Sequence, residues 1–519
     1  MEGWFFTIFL LVKYKLSVGV GRRVRRRRTF LFLADANYLG GKWQGSNLFC
    51  TFARMIEEEL VNRLRACLGH VPTMEQEGAM MLFAQFLTDR EERSVFVLRG
   101  SAGTGKTTLA AAVVRALTTL EQKLVLMAPT GRAAKVFSGY AHHAAYTIHR
   151  RIYRQKTAGD LSVFNLNVNL ATETLFMVDE ASMISNQGFS DTFGSGCLLD
   201  DLIQFVYGGR NCRLVLIGDV AQLPPVGEDE SPALMTDVLR GYGLTVYECD
   251  LNEVLRQAED SGILWNATRI RQAYDDVPNI RVEGFADIQV MPGDELIESL
   301  ANSYSRVGID DTMVVTRSNK HANIYNQGIR NMVLDRDEEL CTGDRIMIVK
   351  NNYYWTEQSK EIPFIANGDI AVVRRVRHVH ELYGFRFAEV TMTLPDYDDY
   401  EQTAIVMLDT LTSEAPALTR DQQQQLYDKV MEDYMDVPYK SDRLKKIKQD
   451  KYYNALQIKF AYAATCHKTQ GGQWAHVYID QGYVTDDMLG PDYLHWLYTA
   501  LTRATEKVFL VNWPKTQLS

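Results

Sequence analysis

The amino-acid sequence predicts an α/β protein with parallel β-sheets and a small inserted antiparallel β-barrel. Short, almost continuous apolar runs recur along the chain, as expected for strands buried on both faces of a parallel sheet. Between residues 344 and 408, strand-like segments are instead separated by Gly, Asn and Asp turns, which is typical of a small antiparallel barrel. The apolar runs are Val95–Leu98, Leu124–Met127, Leu175–Val178, Leu214–Ile217, Met313–Val315, Val477–Ile479 and Val508–Val511.

The segments between these runs complete the fold prediction. Helical patterns follow several of the runs, for example Thr107–Leu117, which is rich in Ala and Val. The polar segment Arg420–Tyr453, with its glutamine run and Lys/Arg cluster, predicts exposed helices. The predicted barrel strands are Asp344–Lys350, Ile370–Val376, Phe387–Met392 and Ala404–Leu408.

Composition excludes several classes of protein. The 519 residues correspond to about three or four domains, and 46% apolar with 23% charged residues excludes a disordered chain. No stretch reaches the roughly 20 apolar residues that cross a bilayer. The seven cysteines show no CxxC pairing, which argues against a structural zinc site or a disulfide framework. We therefore expect a reducing, cytoplasmic environment and no membrane partner.

Residues 1–54 differ from the rest of the chain. An apolar stretch at 4–12 precedes six arginines between 22 and 28, the reverse of the order in a signal peptide. Two interpretations remain: a basic arm that binds nucleic acid, or an extension that is disordered or not native. We favour the second, with the folded part starting near Met55. The remainder then has 46 Lys/Arg against 63 Asp/Glu, a net charge of −17, so a polyanion site must be a concentrated basic stripe.

A glycine-rich segment from Gly100 to Thr107 fits the phosphate-binding P-loop pattern Gly-x4-Gly-Lys-Ser/Thr. Glycines let backbone N–H groups approach phosphate oxygens, and the following helix presents its positive end. Lys106 would reach the β- and γ-phosphates, and the Thr107 hydroxyl would bind Mg²⁺. The alternative is a flexible glycine-rich loop. The predicted nucleotide contacts are Gly100, Ala102, Gly103, Thr104, Gly105, Lys106, Thr107 and Thr108.

Two carboxylates, Asp179 and Glu180, follow the apolar run Thr174–Val178. Ligands of open α/β sheets bind at the carboxyl ends of the strands, where these two residues lie. Asp179 would hold Mg²⁺, and Glu180 would orient and deprotonate an attacking water. The alternative is a solvated turn, but together with the P-loop the pair predicts a Mg²⁺-dependent ATPase.

Further segments occur in an order that resembles superfamily 1 helicases, in the branch that contains RecD and the phage Dda helicase. The resemblance extends from about residue 73 to the end of the chain. The matching segments are Thr73–Gln76, Ala128–Lys135, Thr147–Arg150, Val178–Met183, Gly218–Val226, Leu251–Gln257, Ala464–Gly471 and Tyr498–Ala504.

This resemblance implies two RecA-like lobes with ATP bound between them. Gln76 takes the position of a glutamine that reads adenine. Arg256 and Arg503 are candidates for arginine fingers, since the phosphoryl-transfer transition state needs positive charge beyond the P-loop lysine. Gln222 would sense the γ-phosphate. For the two arginines, an ordinary surface or interdomain ion pair is the alternative.

The resemblance also implies contacts to the sugar and phosphate groups of a nucleic acid strand. Such contacts position a backbone without reading its sequence. Phe164 is a candidate for the tip of a hairpin that splits the duplex, although simple packing within the hairpin explains it equally well. The other candidates are Thr130, His149, Thr316, Asn319 and Thr469.

Together these inferences predict a DNA helicase that uses ATP and Mg²⁺, with 5′ to 3′ travel implied by the resemblance. Lobe 1 is expected at 55–260 with a hairpin insert at 151–172, and lobe 2 at 261–345 and 455–519. An SH3-like barrel with helices is expected at 346–454. The expected partners are single-stranded DNA and duplex junctions, with a single-strand-binding or replication protein as a further candidate. An RNA-directed motor, a motor subunit of a nuclease complex and a non-enzymatic strand-binding module are the alternatives.

Overall fold

The computed structural model of the chain describes residues 45–155, 164–187, 194–253, 260–273, 277–357, 359, 362 and 364–519, with the backbone alone at 45–53, 155 and 164. Within this part of the chain, no helix has the length and apolar character needed to cross a membrane.

The first lobe contains a six-stranded parallel sheet with the strand order β3-β2-β6-β7-β1-β8. Its strands are β1 (Ser94–Gly100), β2 (Lys123–Ala128), β3 (Ala145–Thr147), β6 (Thr174–Val178), β7 (Arg213–Gly218) and β8 (Thr245–Leu251). Its helices are α1 (Gly45–Leu68), α2 (Met74–Thr88), α3 (Lys106–Thr119), α4 (Gly131–Ala141), α5 (Ile148–Ile152), α6 (Leu198–Gly208) and α7 (Thr236–Gly241).

Both faces of this sheet are buried, which explains its continuous apolar strands. Along β1, Phe96 and Leu98 pack into the core that includes α1 to α3. The alternate residues Val95 and Val97 pack into a second core with α5 and α6. Because successive side chains of a strand point to opposite faces, a strand between two cores needs apolar residues at every position.

A two-stranded antiparallel sheet lies within the segment where the sequence predicts a hairpin insert. It consists of β4 (Tyr153–Gln155) and β5 (Phe164–Leu166), with Gln155 opposite Phe164. The residues between the two strands are outside the described part of the chain.

The second lobe contains a five-stranded parallel sheet with the strand order β16-β10-β17-β18-β9. Its strands are β9 (Ile288–Met291), β10 (Thr312–Thr316), β16 (Ala463–Thr465), β17 (Trp474–Asp480) and β18 (Ala504–Val511). Its helices are α8 (Gly262–Gln272), α9 (Leu296–Arg306), α10 (Asn319–Gly328), α13 (Cys466–Thr469) and α14 (Pro491–Leu501). The two parallel α/β sheets confirm the predicted fold class.

A closed five-stranded barrel interrupts the second lobe, as the change in sequence pattern predicts. Leu300 and Val314 of the second sheet share one core with Val390 of the barrel, which ties the barrel to this lobe. The barrel strands are β11 (Arg345–Ile348), β12 (Ile370–Leu382), β13 (Phe385–Leu394), β14 (Tyr400–Met407) and β15 (Leu456–Phe460). Helices α11 (Arg420–Glu432) and α12 (Lys440–Lys448) connect β14 to β15.

Two expected boundaries differ from the structure. Residues 45–54, expected in the N-terminal extension, form the first turns of α1, since no proline interrupts this segment and nothing stops the helix at Met55. Residues 1–44 are outside the described part of the chain. At the other boundary, Leu456–Phe460 was expected in lobe 2 but closes the barrel by pairing with β11 and β14. Its residues alternate apolar and polar side chains (Leu-Gln-Ile-Lys-Phe), unlike the continuous apolar runs of the parallel strands, so this pattern could have indicated the barrel.

Candidate active site

The P-loop connects the end of β1 to the start of α3. Gly103 and Gly105 have φ angles of +78° and +82°, in the left-handed region that favours glycine. At Gly100 a side chain has no room, since a Cβ atom there would lie 2.9 Å from Thr104 Oγ1 and 3.0 Å from the Leu251 carbonyl oxygen. The backbone angles therefore favour glycine at positions 103 and 105, and the lack of space for a side chain requires it at position 100.

Lys106 is directed into the centre of the site. Its Nζ donates hydrogen bonds to the carbonyl oxygens of Gly100 and Ser101, the latter at 2.9 Å. The same nitrogen lies 3.8 Å from Oδ2 of Asp219. This places the ammonium group among the P-loop backbone groups and beside an acidic residue, where a phosphate group of a nucleotide would attract it.

Three acidic residues lie at the carboxyl ends of adjacent strands. Asp179 and Glu180 follow β6, and Asp219 follows β7, which is hydrogen-bonded to β6. The backbone N–H of Glu180 donates to Oδ1 of Asp179 at 2.9 Å, and Glu180 itself has a left-handed φ of +52°. Our sequence analysis gave Asp219 no role, although it follows an apolar strand in the same way as Asp179.

Burial and neighbouring charges act on these carboxylates in opposite directions. Burial raises the pKa of Asp179, whereas the hydrogen bond from Tyr140 and the Lys106 ammonium oppose this rise. Burial also raises the pKa of Glu180, and the positive charges of Arg503 and Lys106 oppose it. Lys106 and Arg503 thus act on the carboxylates predicted to be catalytic, and the site includes a cation from each lobe.

The metal ligands expected from the sequence fit Mg²⁺ chemically. Asp179 supplies carboxylate oxygens, and Thr107 supplies a hydroxyl at the exposed start of α3. Mg²⁺ prefers hard oxygen ligands and is usually held by one or two carboxylates together with substrate phosphates. Each oxygen of Asp179 accepts one described hydrogen bond, which leaves further lone pairs for a cation.

Both glutamines with predicted roles at the site are buried. Gln76 is buried; its Oε1 accepts from Thr73 N at 3.2 Å, and its Nε2 donates to the Thr104 carbonyl at 3.1 Å. Gln76 therefore supports the P-loop from the capping box of α2, and its contact with adenine stays a prediction. Gln222 is also buried, and its Oε1 has no hydrogen-bond partner among the described residues.

The second lobe reaches the P-loop through Tyr498 of α14. Its hydroxyl accepts a hydrogen bond from the backbone N–H of Ala102 at 2.8 Å and donates to Oδ2 of Asp219 at 2.5 Å. On the next residue of α14, the Thr499 hydroxyl accepts from the Leu223 backbone N–H at 2.8 Å. These bonds join the lobes directly at the expected nucleotide site, a role that our sequence analysis did not assign to Tyr498.

Arg503 is the arginine-finger candidate that the structure describes. It is 3% exposed, and its guanidinium donates to the carbonyl oxygens of Thr499 at 3.0 Å and Gly472 at 3.1 Å. These bonds hold the cation at the interface, where its charge opposes the rise in the pKa of Glu180 that burial causes. Arg256, the other candidate, is outside the described part of the chain.

The residues expected to contact nucleic acid follow the carboxyl ends of strands in both lobes. Thr130 caps α4, and its Oγ1 accepts from the Ala133 backbone N–H at 3.2 Å. Gly471 of the second lobe packs against this cap, where a Cβ atom would lie 3.2 Å from Thr130 Oγ1. Asn319 is the first residue of α10 and is half-buried. Thr130 and Asn319 are therefore partly accessible from solvent.

Two other predicted contacts are not presented to solvent. The Thr316 and Thr469 side chains are buried, and their hydroxyls donate to the carbonyl oxygens of Ser318 at 3.0 Å and Cys466 at 2.8 Å. Ser and Thr hydroxyls readily bond nearby backbone, and both do so here, so contact of these two hydroxyls with a nucleic acid strand stays a prediction.

The last two nucleic acid candidates lie near the β4–β5 hairpin. His149 is half-buried in α5, its ring lies 5.6 Å from that of Tyr153, and burial lowers its pKa to about 4. Phe164 begins β5, but its side chain is outside what the structure describes, so its role at the hairpin tip stays a prediction.

Comparison with known proteins gives two family matches. The AAA domain family matches residues 75–276, and the UvrD-like helicase C-terminal domain family matches residues 460–511. The first match contains the P-loop and the three acidic residues. The second contains β16 to β18, Tyr498 and Arg503.

Individual relatives agree with these matches. The chain is 26% identical over 280 residues to the ATP-dependent DNA helicase Dda of Enterobacteria phage T4, covering 50% of this chain and 57% of Dda. It is 31% identical over 156 residues to the ATP-dependent RecD2 DNA helicase of Deinococcus radiodurans, covering 30% of this chain and 20% of RecD2. The alignments thus span less than two thirds of either relative. A structure of Bacteroides Pif1 bound to single-stranded DNA matches with a TM-score of 0.45 and 17% identity, covering 87% of this chain and 94% of that chain.

Proposed function

This chain belongs to the superfamily 1B helicases, the group that contains RecD and Dda, and from this premise we propose that it is an ATP-dependent DNA helicase. It moves along single-stranded DNA, couples ATP hydrolysis to duplex unwinding, and travels from 5′ to 3′. The direction follows from the family resemblance alone. Its substrates are single strands and duplex junctions.

The observation that supports this proposal most strongly is the composition of the interlobe site. Lys106 and Glu180 come from the first lobe, whereas Tyr498 and Arg503 come from the second. Tyr498 contacts the P-loop backbone, and the charge of Arg503 acts on Glu180. An ATPase whose site takes a cation and a hydroxyl from a second lobe can couple each hydrolysis event to relative movement of the lobes.

The residues of the site divide the chemistry of hydrolysis among them. Lys106 and Arg503 provide the positive charge that stabilises the charge-dispersed transition state. Glu180 orients the attacking water and accepts its proton, and burial helps by raising the pKa of this carboxyl, which makes it a stronger base. Thr107 and Asp179 would hold Mg²⁺, which neutralises phosphate charge when bound.

Movement of the lobes links this chemistry to the nucleic acid. ATP binding favours the closed cleft, in which the second-lobe groups reach the phosphate, and hydrolysis removes that preference. The carboxyl edges of the two sheets, where Thr130 and Asn319 lie, alternate their grip on the sugar–phosphate backbone during this cycle. Such contacts suit a motor that must travel over any sequence.

An unwinding assay tests the proposal. A partial duplex with a 5′ tail and one with a 3′ tail are each incubated with the protein, ATP and Mg²⁺, and strand separation is measured. We expect separation of the 5′-tailed DNA only, with none for the Lys106→Ala variant. Separation of the 3′-tailed substrate alone would contradict the direction.

The same assay with RNA tests the main alternative. No described residue distinguishes DNA from RNA, which differ by the 2′-hydroxyl. Unwinding of tailed RNA but not of tailed DNA would assign the protein to RNA. Failure to separate any substrate, together with an absence of ATP hydrolysis, would refute the helicase proposal.

A further inference from the structure

Helix α4 of the first lobe also contacts the second lobe and the barrel. At its amino end, the Arg132 guanidinium lies 4.1 Å from the centre of the Trp474 ring and donates to the Gln473 carbonyl at 3.1 Å, both in the second lobe. In the next turn, Lys135 Nζ donates to the Pro395 carbonyl of the barrel at 2.7 Å and lies 3.3 Å from Asp396.

The carboxyl end of the same helix reaches the predicted metal ligand. The Tyr140 hydroxyl donates a hydrogen bond to Oδ2 of Asp179. The other oxygen, Oδ1, accepts the backbone N–H of Glu180 at 2.9 Å. With one bond on each oxygen the carboxylate plane is fixed. Among the described residues, only Tyr140 bonds this carboxylate from outside the strand and turn that contain Asp179.

We propose that Tyr140 is a positioning residue that orients Asp179 for Mg²⁺. The second lobe, the barrel and the nucleic acid strand set the position of α4, and Tyr140 transmits this position to Asp179. This proposal rests on the proposed function. An 11-residue helix moves as a rigid rod, so a shift at its amino end, where Thr130 and Arg132 lie, also shifts Tyr140.

The chemistry of Mg²⁺ makes this orientation consequential. Mg²⁺ requires nearly ideal octahedral geometry, so a carboxylate that rotates freely binds it less well. Loss of a hydrogen-bonding partner of a metal ligand typically costs about 10–100-fold in metal affinity or activity. Tyr140 does not touch the phosphate site itself in the described structure, so its effect acts through Asp179.

The test is the Mg²⁺ dependence of binding of a fluorescent, non-hydrolysable ATP analogue. Wild-type protein and Tyr140→Phe are titrated with Mg²⁺, each with and without a single-stranded DNA oligonucleotide. The phenylalanine keeps the ring that packs 5.3 Å from the Phe137 ring, and melting temperatures check that the variant is folded. Tyr140→Leu is a second variant that also lacks the hydroxyl.

We expect both variants to need about tenfold more Mg²⁺ for half-maximal binding of the analogue. The oligonucleotide should lower the Mg²⁺ requirement of the wild type and leave that of the variants unchanged. Tyr247→Phe is the matched control, since it removes a tyrosine–aspartate hydrogen bond, to Asp89, on β8 of the same sheet and away from α4. We expect the control to match the wild type.

Two outcomes would overturn the role of Tyr140. One is a Mg²⁺ requirement equal to that of the wild type in folded Tyr140→Phe and Tyr140→Leu. The other is an oligonucleotide effect of the same size in the variants and the wild type. If instead the wild type bound no analogue at any Mg²⁺ concentration, the proposed ATPase would fail, and the role of Tyr140 would fail with it.

Discussion

The nucleotide cleft and the proposed strand-binding edge both lie at the carboxyl ends of parallel strands, yet they use their polar groups differently. In the cleft, the charged side chains of Lys106, Glu180 and Arg503 converge, and burial strengthens their interactions. At the edge, the hydroxyls of Thr316 and Thr469 are bonded to nearby carbonyl groups. We therefore expect single substitutions of charged residues in the cleft to have large effects, and single substitutions at the edge to have small ones.

The largest effect is expected for Lys106→Ala. The change removes the ammonium group that compensates phosphate charge, so ATP turnover should fall to background. Strand binding, measured by fluorescence anisotropy of a labelled oligonucleotide, should remain close to that of the wild type. Turnover at the wild-type rate in this variant would refute the P-loop assignment.

Arg503→Ala comes next. Loss of an arginine finger should slow hydrolysis by about 10³-fold or more. The affinity for ATP should change much less, since the positive charge acts mainly in the transition state. Arg503→Lys is the control because it keeps the charge without the guanidinium geometry. If turnover is unchanged in Arg503→Ala, the residue has only a structural role at the interface.

Tyr498→Phe should have an intermediate effect. It removes the hydroxyl that joins the Ala102 N–H to Asp219, and an unsatisfied buried polar group costs about 1–3 kcal/mol. We expect the closed cleft to lose about 1.4 kcal/mol of stabilisation. Turnover in the presence of the oligonucleotide should therefore fall about tenfold. Steady-state kinetics with and without an oligonucleotide measure this. Turnover within about twofold of the wild type would mean that Tyr498 does not join the lobes during the cycle.

The smallest effects are expected at the strand-binding edge. Asn319→Ala should weaken oligonucleotide binding by about 2- to 10-fold, the range for one neutral hydrogen bond. Thr316→Val should leave this affinity nearly unchanged, since its hydroxyl is buried against the Ser318 carbonyl. A larger loss of oligonucleotide affinity in Thr316→Val than in Asn319→Ala would contradict the view that accessible side chains contribute more to strand binding than buried ones.

Sequence alone predicted the parts of this protein that depend on local patterns. The apolar strands and the P-loop glycines could be identified because burial on two faces and left-handed φ angles restrict the residue types. Asp219 could have been found by the same reasoning as Asp179, because both follow an apolar strand.

Other features depend on contacts that no local pattern records. The rotamer of the Thr469 side chain decides whether its hydroxyl faces a nucleic acid strand or the Cys466 carbonyl group. The bond from Tyr140 to Asp179 joins residues 39 positions apart, and nothing in the sequence of α4 indicates it. By contrast, the alternating apolar and polar residues of Leu456–Phe460 could have indicated a barrel strand, although its pairing with β11 and β14 is seen only in the structure.

The most direct test of the central claim is ATP turnover by the purified protein in Mg²⁺, measured with and without a single-stranded DNA oligonucleotide. If hydrolysis between the two lobes drives movement along a strand, the oligonucleotide should raise turnover severalfold in the wild type. Hydrolysis at one rate in both conditions, or none in either, would contradict a motor that uses ATP to travel along DNA.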